Sequence, residues 1–241
     1  MTLENLAVPS LAGGPLGGRK SDRAHQTIKR GILLGRYPAG TQLLEQALAS
    51  DFGCSQSTVR EGLQKLAEEG LVERRGYQGT FVTEATLDAA AEMVRVRVQI
   101  ERAAARRLAE RRPETAALMR ITREMDEART HGDAAHCSEL DRAFHGGLVR
   151  AAGLDLLAPI LYRCTLHIHR FTVGSAEHPR RFFQETGIGE EHRILLATIL
   201  ESGPDTAERA AIDHIGDVIR HWSPELMAAT GPDLFEEGPA G

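Results

Sequence analysis

The sequence has few aromatic residues and few cysteines. Its 241 residues include one tryptophan, three tyrosines, seven phenylalanines and three cysteines. The cysteines, Cys54, Cys137 and Cys164, are odd in number and form no Cys-x-x-Cys pair, which argues against a disulfide framework and favours a reducing, cytoplasmic location. Because Trp and Tyr are scarce while Ala, Leu, Arg and Glu are abundant, the composition favours helix.

Long hydrophobic runs are also missing. No stretch of about 18 apolar residues occurs, so we expect no transmembrane span and no membrane partner. The N-terminus lacks a basic region followed by an apolar core, so we expect no signal peptide. An apolar content of 41% with 26% charged residues is typical of a soluble globular protein, and the length suffices for one large domain or two small ones.

The chain lacks the net positive charge expected of a protein that coats nucleic acid without sequence selectivity, since its formal charge is −5. The charges are unevenly distributed, however. Residues 19–82 contain ten Lys/Arg against seven Asp/Glu, a balance of +3, whereas the residues from Thr83 onwards contain 19 against 26, a balance of −7. This mild asymmetry is expected if only the N-terminal part contacts phosphate.

Residues 51–82 carry the clearest structural pattern. Gly53 breaks a short helix, and Ser55 is a suitable N-cap for a second helix that ends at Gly70. The apolar residues of that helix recur at helical spacing; they are Val59, Leu63, Leu66 and Ala67. Two β-prone runs, Leu71–Arg74 and Thr80–Val82, then flank a glycine-containing turn. The order helix, turn, helix and β-hairpin predicts a winged helix-turn-helix.

The first turn of the second helix is rich in side chains suited to DNA. Small polar groups and one cation match the phosphate and base-edge contacts of a helix in a major groove. The candidates are Ser55, Gln56, Ser57, Thr58 and Arg60. Ser55 and Thr58 have an alternative role as helix caps. Arg60 has an alternative as a solvated cation paired with Glu61 or Glu68–Glu69.

The same part of the chain resembles the GntR family of bacterial transcription regulators. The matching segments are Ile28–Leu34, Gly35-x-x-x-x-Gly40, Leu43, Leu48-Ala-x-x-Phe-Gly-x-Ser, Val59-Arg60-Glu61-x-Leu63-x-x-Leu66-x-x-Glu69-Gly70-Leu71-Val72 and Gly79-x-x-Val82. The resemblance implies binding to double-stranded operator DNA, with Arg75 and Gly76 of the wing in the minor groove and Gln46 facing the DNA. Gln56 and Thr58 replace the commoner Arg and Pro, which implies an altered operator sequence, because an Arg there can bind guanine bidentately.

The remaining pattern divides the chain into five parts. We expect a disordered N-terminal tail (1–18), a winged helix-turn-helix domain (19–82), a linker (83–86), a helical ligand-binding and dimerisation domain (87–230) and a flexible tail (231–241). The helical domain is predicted to be an antiparallel bundle of about six helices, with Pro113 at the first position of its second helix and with Asp205 capping a last helix that runs to about Ala228. The fold class is therefore mainly α with one small β-hairpin.

Four residues of the helical part form a candidate metal site. Asp141 and His145 are four residues apart on one helix, so they share a face, while His192 and His214 belong to two later helices. Three imidazoles and a carboxylate suit Zn²⁺, Ni²⁺, Mn²⁺ or Fe²⁺ with one or two positions open. Taken singly, each histidine also fits an ordinary hydrogen-bonded or surface position.

The helical part is similar to the ligand-binding domain of the FadR subfamily. The marks are Arg97-x-x-x-Glu101, Asp141-x-x-Phe144-His145, Glu191-His192-Arg193 and Ala211-x-Asp213-His214-Ile215. The resemblance implies that the four residues bind a metal, Zn²⁺ before the others, and that Arg97 binds the carboxylate of a small effector. His169 is a further candidate for the effector cavity. The alternatives are an Arg97–Glu101 salt bridge and a partly exposed His169.

Three functions fit these patterns. The first is a homodimeric, metabolite-responsive transcription regulator, usually a repressor, that binds a palindromic operator. The second is a metal-dependent enzyme that uses the His₃/Asp site, although no further general base or nucleophile motif is present. The third is a regulator that senses the metal ion itself. We expect the first, and so no enzyme.

Overall fold

A computed structural model describes residues 19–175 and 187–236, and the expected N-terminal tail lies outside these ranges. The chain divides into two compact units between Glu84 and Ala85. Both units are mainly helical, as the composition predicted. In the described part of the chain, no helix is both long and apolar enough to cross a lipid bilayer.

The N-terminal unit is a winged helix-turn-helix. Its elements are α1 (Lys20–Leu33), β1 (Gln42–Leu43), α2 (Glu45–Phe52), α3 (Gln56–Glu68), β2 (Val72–Arg74) and β3 (Thr80–Val82). The strands form an antiparallel sheet in the order β1-β3-β2, so the predicted hairpin gains a third strand from the segment before α2. A short 3₁₀ turn, Gly76–Gln78, connects β2 to β3 at the wing tip.

Local signals in the sequence set the bounds of α3. The Ser55 hydroxyl accepts a hydrogen bond from the Thr58 backbone N–H at 3.3 Å, which confirms the predicted N-cap. Gly70 follows the helix with a φ of 78°, a left-handed conformation that glycine adopts without strain. Val59, Leu63 and Leu66 are fully buried, as their spacing predicted.

The C-terminal unit is an antiparallel helical bundle. Its helices are α4 (Leu87–Arg111), α5 (Ala116–Thr130), α6 (Ala134–Ala151), α7 (Ala158–Ser175), α8 (Ile188–Glu201), α9 (Pro204–Trp222) and α10 (Pro224–Thr230). α4 is central, because it packs against α6, α7, α8, α9 and α10. Its N-terminal half joins an apolar cluster with Ile215 and Leu226, and its C-terminal half joins a larger cluster with Phe144 and Leu196. Arg97 and Glu101, both buried, lie on α4 where these clusters meet.

Three details of the predicted bundle are wrong. Pro113 is not the first residue of α5, which begins at Ala116 after Thr115. Pro204, rather than a capping Asp205, starts α9, and Gly203 is the N-cap residue. The predicted last helix is two helices, since α9 ends at Trp222 and Pro224 starts α10. Proline fixes φ and cannot donate a backbone hydrogen bond, so it favours the first turn of a new helix.

The segment expected to be a flexible C-terminal tail is partly packed. Residues 232–234 form a 3₁₀ turn, and the Phe235 side chain is only 5% exposed. Phe235 contacts Gly216 of α9 so closely that a Cβ added to Gly216 would lie 2.9 Å from the ring. Arg209 Nη2 also donates to the Phe235 carbonyl oxygen at 2.5 Å. The prediction therefore fails for residues 231–236, and residues 237–241 lie outside the described ranges.

Truncating Phe235 tests this packing. We expect Phe235→Ala to lower the free energy of unfolding by about 3–5 kcal/mol, because a buried phenylalanine loses its contacts and leaves a cavity. Leu156→Ala is the control, since Leu156 is 90% exposed and its truncation should change stability by less than about 0.5 kcal/mol. Urea denaturation followed by circular dichroism gives both values. Equal effects of the two substitutions would contradict the packing.

Candidate functional site

The predicted metal ligands converge in the C-terminal unit. His145 comes from α6, His192 from α8 and His214 from α9, and one ring nitrogen of each lies within 4.8 Å of the others. Asp141, one turn before His145, places Oδ1 3.2 Å from His192 Nε2 and 3.6 Å from His145 Nε2. The three histidines therefore come together between three helices, and Asp141 lies beside two of them, His145 and His192.

The hydrogen bonds of two imidazoles fix which nitrogen faces the other predicted ligands. His145 Nδ1 lies 2.7 Å from Glu101 Oε2, and His192 Nδ1 lies 2.6 Å from the Ile188 carbonyl oxygen. Both partners are acceptors, so they assign the ring proton to Nδ1 in each case. The two Nε2 atoms, which are 3.2 Å apart, then carry lone pairs, and the one on His145 also lies 3.0 Å from the donor Arg97 Nη2. Two lone pairs at that distance repel unless a cation or a proton lies between them.

The donor set fits a transition-metal ion. Nitrogen ligands lie about 2.0–2.1 Å from Zn²⁺ and similar ions, so ligands at tetrahedral or octahedral angles are about 2.8–3.4 Å apart. The separation of 3.2 Å between the two Nε2 atoms falls in this range. Hydrogen bonds that orient a ligating imidazole through its other nitrogen are usual at metal centres, and Glu101 and the Ile188 carbonyl make them here.

The surroundings keep the two carboxylates ionised. Burial raises the pKa of Asp141, but the neighbouring imidazoles of His145, His169 and His192 lower it, and the net effect places that pKa well below its usual range. Burial likewise opposes ionisation of Glu101, yet Arg97 and His145 lower its pKa to about 2. Burial, together with the nearby His192 and His145, lowers the pKa of His214, which favours the neutral imidazole needed by a metal ligand.

Arg97 and His169, the candidate effector contacts, both lie beside this centre. Arg97 Nε donates to Glu101 Oε1 at 2.6 Å, so the salt bridge considered as an alternative is present. Its Nη2 is 3.0 Å from His145 Nε2, and the guanidinium therefore also borders the ligand atoms. His169 is 5% exposed and places Nε2 3.2 Å from Asp141 Oδ2, which excludes the partly exposed position.

Two further residues of α6 complete the polar core and were not predicted from the sequence. Ser138 Oγ lies 3.0 Å from His169 Nδ1, and Arg142 Nη1 donates to Ser138 Oγ at 2.5 Å. Both side chains are buried. The available signal was their spacing, since Ser138, Asp141, Arg142 and His145 recur at helical intervals and so share one face of α6.

A groove between α8 and α9 borders the same centre. Its volume is about 600 Å³, and His214 forms part of its wall. The apolar lining residues include Ile194, Leu195, Ala210, Val218 and Trp222, and the acidic ones are Glu191, Asp213 and Asp217. A cavity of this size accommodates a small organic molecule.

The candidate DNA contacts occupy the surface of the N-terminal unit. Gln46, Ser55, Gln56, Ser57, Arg60, Arg75 and Gly76 are exposed, and Thr58 is half-buried. Arg60 makes a two-pronged ion pair with Glu45 of α2, with Nη2 2.6 Å from Oε2 and Nε 3.0 Å from each carboxylate oxygen. Its partner is therefore Glu45 rather than Glu61 or Glu68–Glu69. The Ser55 hydroxyl lies 2.9 Å from Ser57 Oγ and 2.8 Å from Thr58 Oγ1, so Ser55 caps α3 while its contact with DNA stays a prediction.

The wing presents a cation and an aromatic ring at its tip. Arg75 pairs with Glu73 at 2.7 Å and stacks its guanidinium 4.7 Å from the centre of the Phe81 ring. Gly76 has a φ of 51°, and the neighbouring Tyr77 is fully exposed. Gln42 Nε2 of β1 donates to the Gln78 carbonyl oxygen at 2.6 Å, which holds the turn against the sheet.

A winged helix-turn-helix with polar residues on its second helix, joined in one chain to a helical bundle with a polar core, defines a DNA-binding transcription regulator. Comparison with known families agrees. Residues 20–82 match the model of bacterial regulatory proteins of the gntR family, and residues 92–217 match the FCD domain. The chain belongs to the FCD-domain family and carries a GntR-type DNA-binding domain.

Curated relatives and solved structures point the same way. The chain is 28% identical over 186 residues to the "Probable D-xylose utilization operon transcriptional repressor" of Paenarthrobacter nicotinovorans, covering 76% of this chain and 80% of that protein. It is 24% identical over 204 residues to the transcriptional repressor RspR of Escherichia coli K12, covering 82% and 86%. Its fold resembles E. coli McbR/YncC, with a TM-score of 0.65, 18% identity and coverage of 86% and 99%. It also resembles a GntR regulator from Rhodococcus sp. RHA1, with a TM-score of 0.66, 19% identity and coverage of 84% and 96%.

The Glu45–Arg60 pair yields a test of how α3 meets DNA. In Glu45→Gln the guanidinium loses its counter-ion, so we expect tighter binding to a random-sequence duplex and a steeper dependence on salt, by about one phosphate contact. Glu61→Gln is the matched control, because it removes the same charge from the exposed residue next to Arg60. Fluorescence anisotropy across a salt series measures both variants. Identical salt slopes would show that Arg60 does not contact phosphate.

Proposed function

We propose that this regulator is a homodimeric, metabolite-responsive repressor of the FadR subfamily, with a small carboxylate effector bound at a metal ion in the helical unit. The observation that carries the proposal is the pair of imidazole Nε2 atoms, 3.2 Å apart and next to the Asp141 carboxylate. Buried groups arranged in this way favour a cation. An organic acid is the effector class that a metal with open positions and a neighbouring guanidinium attracts.

The metal would be held by Asp141, His145, His192 and His214, with Zn²⁺ first among Zn²⁺, Ni²⁺, Mn²⁺ and Fe²⁺. A bound divalent ion would supply positive charge and open coordination positions for a carboxylate oxygen. Glu101 and the Ile188 carbonyl would keep His145 and His192 in the ligating tautomer. The Nδ1 atoms of His145 and His192 already make these two hydrogen bonds.

Arg97 would orient the effector. Its Nη2 contacts His145 Nε2, the nitrogen assigned to the metal, so this end of the guanidinium needs another partner once that lone pair is used. A carboxylate of the effector can accept from it, while Nε stays bonded to Glu101. His169 would keep Asp141 in place through its contact with Oδ2.

The N-terminal unit would bind half of a palindromic operator, and two copies of the chain would match its two halves. Repression is favoured by the names of the two relatives described above, both of which are called repressors. Effector binding would change operator affinity by favouring one of two arrangements of the dimer. In a regulator of this kind the cytoplasm is the expected location, and no catalytic step is required.

Metal content gives the first test. His145→Ala and His192→Ala should each reduce bound metal from about one ion per chain to less than a tenth, because each variant loses one of the two nitrogen ligands that are 3.2 Å apart. His136→Ala should retain the ion, since His136 is exposed on the same helix. Elemental analysis after dialysis against Zn²⁺ and then metal-free buffer measures all three. Equal metal in the wild type and in both ligand variants would refute the site.

Operator release gives the second test. In gel shifts with a fragment containing the protein's own promoter, the metal-loaded chain should bind with salt-sensitive sequence selectivity, and an active organic acid should weaken binding at least tenfold, or about 1.4 kcal/mol. Arg97→Met should bind the fragment but respond at least tenfold less to the acid.

Two results would favour the other functions. Release by chelator with no response to any of a panel of mono-, di- and tricarboxylic acids would favour a metal sensor. Turnover of an acid, lost in His145→Ala, would favour an enzyme. Absence of selective DNA binding would refute the operator role.

A further inference from the structure

The side chains of the polar centre are buried, with one exception among the described residues. His145, His192, Arg97, Asp141 and His169 have exposures of 0%, 2%, 4%, 7% and 5%. His214 differs, because it is half-buried and forms part of the wall of the groove between α8 and α9. The described residues thus connect the centre to a cavity at His214.

The groove is much larger than a carboxylate requires. Its volume of about 600 Å³ lies in the range of cavities that bury a whole organic ligand. Leu195 and Val218 provide apolar contact on facing helices, and Ile194, with 58% exposure, borders the opening. Trp222 adds an aromatic surface, with His221 packed edge-on against it at 4.6 Å. These walls suit a hydrocarbon or aromatic body.

The charges that face the groove are negative. Asp213 and Asp217 pair with Arg209 and Arg220, but neither of these arginines is among the groove-lining residues. Glu191, which is exposed, adds a third carboxylate. Asp217 lies on α9 between His214 and Trp222, so a second anionic group on a ligand that extends from His214 towards Trp222 would pass this carboxylate and be repelled.

We propose that the groove binds the body of the effector and makes the regulator selective for an extended monocarboxylate with an apolar or aromatic body. The inference rests on the proposed function, since the carboxylate end is placed at the metal beside His214. The groove carboxylates, Asp217 above all, disfavour dicarboxylates of the same length. Short acids, such as acetate, reach the metal without contacting Trp222.

The experiment measures ligand binding in the groove and ligand binding at the metal by two separate signals. Trp222 is the single tryptophan of the chain, so its fluorescence reports on the groove. Visible absorption of the Co²⁺-loaded protein reports on coordination. The probes are 4-phenylbutyrate, its 4-carboxyphenyl analogue, which adds a second carboxylate at the distal end, and acetate. We expect 4-phenylbutyrate to change both signals with one dissociation constant, the dicarboxylate to bind at least tenfold more weakly, and acetate to change absorption alone.

Filling the groove provides the matched variants. Thr198→Phe places a ring in the groove and should weaken 4-phenylbutyrate at least tenfold with acetate unchanged. Ala197→Phe is the control, because it adds the same bulk to the next residue of α8, which lines a different cavity with Met119 and Leu200. Asp217→Asn should improve binding of the dicarboxylate and leave 4-phenylbutyrate unchanged.

The outcomes separate the two proposals. If 4-phenylbutyrate changes the Co²⁺ absorption but not Trp222 fluorescence, or if Thr198→Phe and Ala197→Phe behave alike, the groove assignment is overturned while the metal site stands. Equal affinity for the mono- and dicarboxylate overturns the charge selectivity. If no acid changes the absorption, the metal-bound effector itself is refuted, and a change in Trp222 fluorescence alone then marks a groove site independent of the metal.

Discussion

The hydrogen bond between His145 and Glu101 is the interaction on which the polar core depends. It joins α6 to the central helix α4 and directs the His145 proton away from the centre. Glu101 remains charged at this buried position because Arg97, one turn earlier, binds its other oxygen. One carboxylate therefore sets the tautomer of a ligand and the position of a guanidinium. Its removal would leave Arg97 buried without its counter-ion, which is costly in a protein interior.

Much of the fold follows from local signals in the sequence, and the errors have local causes. Ser55, Gly70 and the spacing of Val59, Leu63 and Leu66 define α3 without knowledge of the rest of the chain. Pro113 and Asp205 were misassigned because several neighbouring residues can begin a helix, and packing decides among them. Leu234 and Phe235 are the two apolar residues in a segment of Gly, Pro and acidic residues, so no periodicity predicted that Phe235 packs on Gly216.

The candidate site was also only partly predictable, because local spacing does not show which helices pack together. Asp141 and His145 share a helix face by spacing alone, but their meeting with His192 and His214 depends on how three helices pack, and only the family resemblance suggested it. His169 was a candidate on its own helix, and only the packing of α7 on α6 places it against Asp141. Arg60 pairs with Glu45, which is 15 positions away on another helix. The sequence suggested only acidic residues close to Arg60 in the chain. Tertiary packing, rather than local propensity, determines which of these residues contact each other.

The contact between Phe235 and Gly216 has a practical consequence for experiments on this protein. It fixes the chain to α9 six residues before the last residue, and α9 also carries His214. A segment inserted directly after residue 236 is thus tethered near the helix whose histidine is a proposed ligand. A polyhistidine tag there would add competing imidazoles close to the site that metal measurements are meant to report, so the purification tag belongs at the other end of the chain.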